Sequence, residues 1–593
     1  MASKNTDTKS ETDGFRRLID IGIALSVEHD HNRLMEMILL EAKSLANADG
    51  GTFYLRTDDD SLKFEIMRTD SLKIAMGGTT GKDITFPPLS LLDPETGEPN
   101  HKNIATHVAL SGETVNVPDA YQTADFDFTG TKKFDEGTGY RSMSFLTIPL
   151  KDHQNDVIGV LQLLNAQDRE SGAVVPFSKD IQPLIEALAS QAAVALHNQM
   201  LLEQQKKLFR TFINVLANAI DTKSPYTGGH CSRVPELTLM LARAACEEKD
   251  GPYADFDLTP DDWEALEIAG GLHDCGKVTT PEYVVDKATK LETIYDRIHE
   301  VRMRFEVAKR EAEIDYYKAA LDGGETDALK KELDEKLAKL DDDFAFIANA
   351  NIGGEFMEDA DIERVQAIAK QTWTRTLDDR AGISQEESKR KNKTKAPTLP
   401  VSEPLLADRP DHIFSRSEDI TMASGNDWGF KMDRPEHLYN LGETYNLSIK
   451  RGTLSAEERY KINEHITETI VMLELLPFPK HLAAVPEYAG AHHETMIGTG
   501  YPRKLSRDDM SVPARVMAIA DIFEALTAAD RPYKKAKTLS ESIKILSFMK
   551  KDQHIDPDLF ELFLKSGIYK DYAEKYLLPE QIDEVDISQY LDS

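Results

Sequence analysis

Residues 492–502 read HHETMIGTGYP, and this stretch decides how the second half of the chain is interpreted. Two adjacent histidines and a glutamate precede a turn that is broken by glycines and ends in Tyr-Pro. Imidazole and carboxylate groups at this spacing can ligate a metal ion, but the same letters fit a helix end that runs into a solvated loop. A metal site therefore requires further ligands elsewhere in the chain.

Three other segments place a histidine or an aspartate in an apolar helical pattern. TPDDWEALEIAGGLHDCGKV begins with a helix-start signal and ends at His273 and Asp274, INEHITETIVMLEL contributes His465, and ARVMAIADIFEAL contributes Asp521. A buried carboxylate costs several kcal/mol unless it is paired or bound to a metal. Each residue alone also fits a satisfied core side chain, and Asp274 could simply pair with Lys277. Together they predict a centre for two divalent ions, iron or manganese rather than structural zinc. The predicted ligands are His273, Asp274, His465, His492, His493 and Asp521.

The combination HDCGK, INEHITETI, HHE…GTGYP and ADIFEALTAADRPYKK resembles the HD-GYP domain, the phosphodiesterase branch of the HD superfamily. The resemblance implies an all-helical domain that hydrolyses cyclic di-GMP, with Asp274 bridging the metals and Lys277 as a second catalytic residue. It also implies substrate contacts from Lys277, Tyr501, Arg531 and Lys534. A basic pocket is expected at YPRK (501–504) and RPYKKAK (531–537), because the substrate is dianionic.

The chain departs from the HD-GYP pattern at three places. Ile497 stands where the family usually has an aspartate, and Tyr226 stands where some members have a glutamate for a third metal, which leaves His230 as a weak ligand candidate. A long insertion separates the HD helix from INEH, so that His299 is a competing candidate for the role of His465.

The first part of the chain resembles a GAF domain. Strand-like runs GGTFYL, GTGYRSMSFLTIPL and VIGVLQLLNA, with GETVNVPDAY between the first two, carry the resemblance. It implies an α+β sensor module with an antiparallel sheet flanked by helices. The cyclic-nucleotide signature of some GAF domains is incomplete: Asn165 and Phe177 are present, but Ala166, Ile181 and Gln182 differ from it. An unidentified small molecule and a ligand-free dimerisation module both remain open interpretations.

The predicted organisation is multidomain. An apolar stripe at helical spacing predicts one long linker helix that could pack against a partner helix. Two charged helical runs joined by DGGET predict a helical hairpin, and the chain after the hairpin is expected to be loop up to about residue 445. The expected parts are a disordered terminus (1–13), the GAF domain (14–180), the linker helix (181–221), the HD-GYP domain in two parts (222–299 and 446–593, with an acidic C-terminus) and the insertion (300–445).

Bulk composition narrows the function classes. The 593 residues are 40% hydrophobic and 29% charged with a formal net charge of −33, which argues against binding nucleic-acid polymers. No apolar run approaches about 18 residues, so no membrane insertion is expected. Three cysteines without CxxC spacing indicate a reducing cytoplasm.

The leading hypothesis is therefore a cytoplasmic, homodimeric, metal-dependent phosphodiesterase under GAF control. It would convert cyclic di-GMP to pGpG or GMP through a hydroxide activated by two metals. The alternatives are a catalytically weak module that binds cyclic dinucleotides, and a phosphodiesterase for another cyclic dinucleotide. A phosphohydrolase for a different nucleotide is disfavoured by the GYP segment.

Overall fold

The computed structural model describes residues 16–93, 96–223, 229–354, 356–417, 426–529 and 536–591. The chain divides into two compact units, residues 1–209 and 210–593. Two predicted substrate contacts, Arg531 and Lys534, lie outside the described residues.

Unit 1 is built on an eight-stranded sheet whose main path runs β3-β2-β1-β7-β6-β5, with β4 beside β2 and β8 beside β7. Neighbouring strands are antiparallel; in β1 and β7, for example, Gly50 pairs with Leu164 and Phe53 with Leu161. The predicted antiparallel sheet is thus confirmed. The strands are β1 Ala48–Arg56, β2 Ser61–Thr69, β3 Ile74–Gly77, β4 Leu89–Ser90, β5 Val115–Val117, β6 Phe145–Lys151, β7 Val157–Gln167 and β8 Val174–Val175.

The side chains of each strand alternate between two apolar layers, as the two-residue repeat of a strand requires. Phe53 and Leu161 join the layer formed with α1, α2 and α5, whereas their neighbours Tyr54 and Val160 join the layer formed with α3. The sheet therefore has helices on both faces. The helices of this unit are α1 (residues 16–27), α2 His31–Ala46, α3 Ile104–Ser111, α4 Thr129–Thr138 and the beginning of α5 Gln182–Lys223.

Helix α5 is continuous over 42 residues, about 63 Å at 1.5 Å per residue. Its first half closes the core of unit 1 through Ile185, Leu188 and Leu196, which are fully buried. Beyond them, apolar side chains such as Leu202 and Leu208 are exposed, at 58% and 71%. The long helix expected from the apolar stripe is present, and the described part of the chain leaves Leu202 and Leu208 exposed.

Unit 2 is largely helical, as predicted. Its buried centre brings together the helices that flank the predicted metal site, and α17 and α19 both pack against α6. The helices outside the insertion are α6 His230–Glu247, α7 Pro260–Leu272, α8 Glu282–Val285, α13 Glu443–Leu447, α14 Ala456–Asn463, α15 His465–Leu475, α16 Val485–Gly490, α17 Val512–Thr527, α18 Leu539–Lys551, α19 Pro557–Lys565 and α20 Ile568–Tyr576.

The predicted helical hairpin is present as α9 Ile298–Leu321 and α10 Thr326–Ile352. The rings of Phe305 and Phe344 meet with centroids 5.5 Å apart, and Lys309 Nζ lies 2.6 Å from an Asp341 carboxylate oxygen. The two helices contact each other through a narrow row of apolar side chains, and the rest of their surface is charged, which explains their highly charged sequence.

The expectation of loop from the hairpin to residue 445 is wrong in part. The chain there forms two-stranded antiparallel pairs, β9 with β10 and β11 with β12, and two further helices. These elements are short and rich in proline or polar residues, and they are held by pairing over long sequence distances. They are α11 Asp359–Ala369, β9 Thr372–Arg375, α12 Gln385–Lys391, β10 Val401–Pro404, β11 Ile413–Ser415 and β12 His437–Asn440.

Lys290 joins the two ends of the insertion. Its Nζ donates hydrogen bonds to the carbonyl oxygens of Leu447, at 2.9 Å, and Ile449, at 2.8 Å, and lies 3.2 Å from Met357 Sδ. The side chain is 2% exposed, and among the described residues no carboxylate pairs with it.

Within the described ranges, none of the helices combines the length and apolarity needed to cross a bilayer. Cys231, Cys246 and Cys275 are free thiols.

Candidate metal centre

The end of helix α7 positions the first two predicted ligands. The helix begins at a capping box, in which Thr259 Oγ1 accepts from the backbone N–H of Asp262 at 3.2 Å and the Asp262 carboxylate accepts from Thr259 N at 3.0 Å. It ends at Leu272, directly before His273 and Asp274, which are 0% and 2% exposed. An ionised side chain buried this deeply needs several compensating partners.

Gly276 allows the segment after Asp274 to lie directly against α15. Its backbone N–H donates to Thr469 Oγ1 at 2.9 Å. A Cβ at this position would lie 1.9 Å from the carbonyl oxygen of His465, far inside van der Waals contact. The glycine of HDCGK therefore sets the distance between Asp274 and the helix that carries His465.

Three histidines are oriented by the same local device. The Nδ1 atoms of His273, His465 and His492 bond the carbonyl oxygens of Gly270, Ile462 and Ala489, three residues earlier in each case, at 2.6, 2.5 and 2.7 Å. This bond leaves the Nε2 atom of each ring directed away from the helix end. In the described part of the chain, the Nε2 atoms of His273 and His492, and also that of His230, are buried without a hydrogen-bond partner. Orphaned imidazole nitrogens are what a metal centre needs, since a ligating histidine usually donates its other N–H to a carbonyl or carboxylate.

Asp274 lies between two groups of candidate ligands. One group is His465, His492 and His493, and the other is His230, His273 and Asp521. Asp274 Oδ1 lies 3.2 Å from His465 Nε2, and Oδ2 lies 3.2 Å from His273 Nε2 and 3.3 Å from His230 Nε2. Each carboxylate oxygen thus faces one group, so the six predicted ligands lie together around one carboxylate.

His230 belongs to this cluster more closely than the sequence indicated. Its Nε2 lies 3.2 Å from Asp521 Oδ1, and its Nδ1 hydrogen-bonds the Glu524 carboxylate. Glu524 is 1% exposed and is held by Arg233 Nε at 2.7 Å. Glu524 and Arg233 were missed, and the only available signal was that they lie three residues after Asp521 and His230, one helical turn away.

His299, the competing candidate for the role of His465, lies elsewhere. It is exposed at the beginning of α9, where its Nδ1 is 2.8 Å from an Arg302 guanidinium nitrogen. The structure therefore brings His465, and not His299, into the cluster.

The two described substrate-contact candidates lie at the cluster. Lys277 Nζ contacts Asp274 Oδ2, and its side chain is 28% exposed. The Tyr501 ring stacks on the His493 ring with centroids 4.9 Å apart and an angle of 21°. The other two, Arg531 and Lys534, fall outside the described residues. The cations of the YPRK island are already engaged, because Arg503 lies 3.1 Å from Glu474 and Lys504 lies 3.4 Å from Asp433.

Glu494 holds the loop that carries Tyr501. Its two carboxylate oxygens accept from the backbone N–H groups of Arg503, at 2.6 Å, and Leu505, at 2.9 Å, and it is 1% exposed. Burial raises the pKa of Glu494, and the backbone N–H donors act in the opposite direction. The glutamate of HHE is therefore a support for the loop, not a member of the ligand cluster.

Residues 426–431, from the end of the insertion, pack on the same loop. Lys431 N donates to the carbonyl oxygen of Pro502 at 2.7 Å, and Arg503 Nε donates to that of Trp428 at 2.8 Å. Phe430 is buried in an apolar cluster with Ile466, against which Tyr501 packs. The insertion thus reaches the edge of the candidate centre.

The electrostatics of the cluster suit a bound cation. Burial lowers the pKa of His492 to about 4 and holds that of His493 well below its ordinary range, so both imidazoles are neutral at pH 7. Burial opposes ionisation of Asp274, but Lys277 and His273 outweigh it and keep the pKa of Asp274 well below its usual value. Despite burial, Asp274 and Asp521 raise the pKa of His273 to about 9, so a metal ion held by this ring would have to displace its proton.

This donor set fits divalent transition-metal ions. It consists of imidazole nitrogens and carboxylate oxygens without thiolate, a combination suited to iron, manganese and similar ions. Divalent cations would neutralise its carboxylates and would take up the Nε2 atoms that have no well-aligned hydrogen bond.

Two protein-family models match parts of the chain. The GAF domain model matches residues 30–196, and the HD domain model matches residues 400–559. Over 118 residues, 20% of this chain and 26% of the relative, the chain is 35% identical to 3′3′-cGAMP-specific phosphodiesterase 1 of Vibrio cholerae. Over 79 residues, 13% of this chain and 18% of the relative, it is 42% identical to cyclic di-GMP phosphodiesterase PA4108 of Pseudomonas aeruginosa.

Among solved structures, the GAF domain of an Acinetobacter phosphoenolpyruvate-protein phosphotransferase matches 32% of this chain and 97% of its own chain, at 14% identity and a TM-score of 0.24. The chain aligns with only about a quarter or less of the length of each of the two phosphodiesterases named above.

Proposed function

We propose that this chain, which carries a GAF domain and an HD domain, is a metal-dependent phosphodiesterase for cyclic dinucleotides. The observation that carries the proposal is the position of Asp274, whose two carboxylate oxygens face two separate groups of histidine and aspartate ligands. The proposed ligands of two divalent ions are His273, Asp274, His465, His492, His493 and Asp521, joined by His230.

Two ions held by these residues would supply Lewis-acid charge to a phosphoryl group and lower the pKa of a bound water. The protein's own contribution is to fix the ligands before substrate arrives: helix-end carbonyls orient three imidazoles, and Glu524 orients a fourth. Such preorganisation removes reorganisation from the reaction step.

Lys277 and Tyr501 are proposed to act on the substrate itself. The Lys277 ammonium is partly exposed beside Asp274, where it adds positive charge near the reacting phosphate. Tyr501, stacked on His493, places an aromatic ring beside the proposed ligands. Arg531 and Lys534 remain proposed contacts to the second phosphate or a base, from the motif alone.

Cyclic di-GMP is the first proposed substrate, with pGpG or GMP as product. A second candidate, 3′3′-cGAMP, is favoured by the relative in Vibrio cholerae that carries this specificity in its name. A purely binding module is disfavoured, because binding alone does not require this set of orphaned imidazoles around a bridging carboxylate.

The test is turnover of both cyclic dinucleotides by the purified chain, loaded with Fe(II) or Mn(II) without oxygen. Asp274→Asn should lower kcat by at least a hundredfold and reduce metal content. His299→Ala is the matched control, since it removes an exposed histidine outside the cluster. Absence of turnover of either dinucleotide by the metal-loaded parent would refute the enzymatic proposal.

We also propose that the GAF domain regulates the chain as a homodimer through α1 and α5. A groove of about 880 Å³ lies between these helices. Its wall includes Ile19, Ile23 and Val194, which are 60%, 60% and 53% exposed. Apolar side chains exposed along one groove are expected to be covered by a partner, and a second copy offers the same apolar helices.

A further inference from the structure

A second cluster of metal-binding side chains lies in unit 1, at the turn between β6 and β7. Asp152 and His153 follow directly on β6 and face His197 of helix α5. Asp152 Oδ2 lies 3.8 Å from His197 Nδ1, and the two histidine rings meet edge to face with centroids 5.0 Å apart. One ligand atom from each of the three residues lies within 4.8 Å of the other two.

The carboxylate of Asp152 is fixed before any ligand arrives. Its Oδ1 accepts from the backbone N–H groups of Gln154, at 2.8 Å, and Asp156, at 2.9 Å, within the turn. The side chain is 7% exposed. The carboxylate is thus held by the turn, with its second oxygen 3.8 Å from His197 Nδ1.

The His197 ring is not hydrogen-bonded to the carboxylate beside it. Its Nδ1 is 3.8 Å from Asp152 Oδ2, beyond the roughly 2.7–3.2 Å range of an N–H···O bond. Its Nε2 is buried and, within the part of the chain that the structure describes, has no hydrogen-bond partner. Buried imidazole nitrogens are normally satisfied, so this ring is held without the bond that its nearest carboxylate could supply.

A cation accounts for the spacing. Metal–nitrogen and metal–oxygen bonds of about 2.0–2.2 Å at a tetrahedral angle place two ligand atoms roughly 3.4 Å apart. The observed 3.8 Å needs only a small movement to reach that value. Two imidazoles and one carboxylate, with the remaining positions open to water, form a set used for divalent first-row ions.

We propose that Asp152, His153 and His197 bind one divalent transition-metal ion, separate from the ions of the candidate centre in unit 2. Because His197 belongs to α5 and the other two ligands belong to the β6–β7 turn, the ion ties the long helix to the sheet of its own unit. The GAF domain would then respond to a metal ion as its small ligand, in addition to or in place of an organic molecule.

The test uses the full chain, stripped with chelator, desalted and titrated with Zn(II) and Co(II), with bound metal counted by elemental analysis. His153→Ala removes an exposed ligand without disturbing the core, and His197→Gln removes the helix ligand. His29→Ala is the matched control, because it removes an exposed histidine of the same unit outside the cluster.

The parent and His29→Ala should bind one equivalent more than His153→Ala or His197→Gln, and the lost equivalent should return only at tenfold higher metal. Asp274→Asn should lose metal from unit 2 and keep this equivalent, so the count does not depend on the proposed phosphodiesterase activity. Equal metal content and affinity in the parent and His153→Ala would overturn the proposal.

Discussion

Replacing Glu494 by glutamine tests whether the loop after the paired histidines is held by one buried carboxylate. Each oxygen of Glu494 accepts one backbone N–H, from Arg503 and from Leu505. Glutamine has nearly the same shape but replaces one oxygen with an NH₂ group. One of the two N–H donors then loses its acceptor and faces another donor.

The size of the effect follows from those two contacts. A hydrogen bond to a charged acceptor contributes about 1.5–3 kcal/mol, and the side chain is 1% exposed, so water cannot replace the lost partner. If the loop opens, roughly a 10- to 150-fold loss in kcat/KM follows, at 1.4 kcal/mol per factor of ten. If Phe430 and its neighbours keep the loop closed, the same free energy is lost from stability instead.

The assay measures three quantities on Glu494→Gln: kcat/KM for the cyclic dinucleotide, bound metal, and the free energy of unfolding in urea. Metal content should stay at the parent value, because Glu494 bonds backbone groups outside the ligand cluster. Glu487→Gln is the control, since Glu487 accepts from Ser511 N and Oγ at the start of α17 and should lower stability without changing kcat/KM. A variant with parental kcat/KM and an unfolding free energy within about 0.5 kcal/mol of the parent would refute this account of the loop.

Three further expectations follow from single positions. Gly276→Ala should lower the unfolding free energy by about 1–3 kcal/mol and reduce metal content, because the added Cβ meets the backbone of His465. Gly271→Ala is the control and should be tolerated, since the nearest contact of its Cβ is at 3.5 Å. Equal melting temperatures of the two variants would contradict this prediction. Burial lowers the pKa of Lys290 from 10.5 to about 8, so between these pH values the unfolded chain binds a proton at Lys290 that the folded chain does not. The unfolding free energy should therefore rise with pH across this window, by up to about 3 kcal/mol. Urea titrations of Lys290→Met should lack this rise, and a pH dependence parallel to that of the parent would contradict the prediction. Ile23→Glu should convert the proposed homodimer to monomer in light scattering, and an unchanged mass would exclude α1 from the interface.

The parts of the fold that sequence could predict are those with a sustained local pattern. β-rich runs bounded by Gly and Asp located β1, β6 and β7, and the charged runs on either side of DGGET located the hairpin α9–α10. The strands β9 to β12 have three or four residues each, too few for a two-residue repeat to stand out. Their pairing partners lie up to about 30 residues away, which no local window detects.

The candidate centre was predictable where a polar residue interrupts an apolar pattern. Asp521 in α17 and Asp274 at the end of α7 are of this kind. Glu524 interrupts the same apolar run three residues after Asp521 but was missed, because the carboxylate of a glutamate in a helix is usually exposed; its contact with His230 explains why it is buried. The role of Glu494 was also not predictable from local sequence: it stands beside two proposed ligands, but its partners are backbone groups nine and eleven residues later.

The bonds from Lys290 to the carbonyls of Leu447 and Ile449 bear on the order in which the chain folds. The contact spans 157 residues of sequence to Leu447, and closing a flexible loop of that length costs about 4–5 kcal/mol of chain entropy. Most of that penalty disappears if the hairpin and its neighbours fold first, since their own structure then brings residues 290 and 447 together. The ligands on α7 would otherwise have to find α15 by a long diffusive search. The insertion would thus act as an internal template, and its early collapse would let the two halves of the buried centre meet while the chain is still being completed. Lys290→Met should then slow refolding of unit 2, and an unchanged refolding rate would show that the halves meet without this contact.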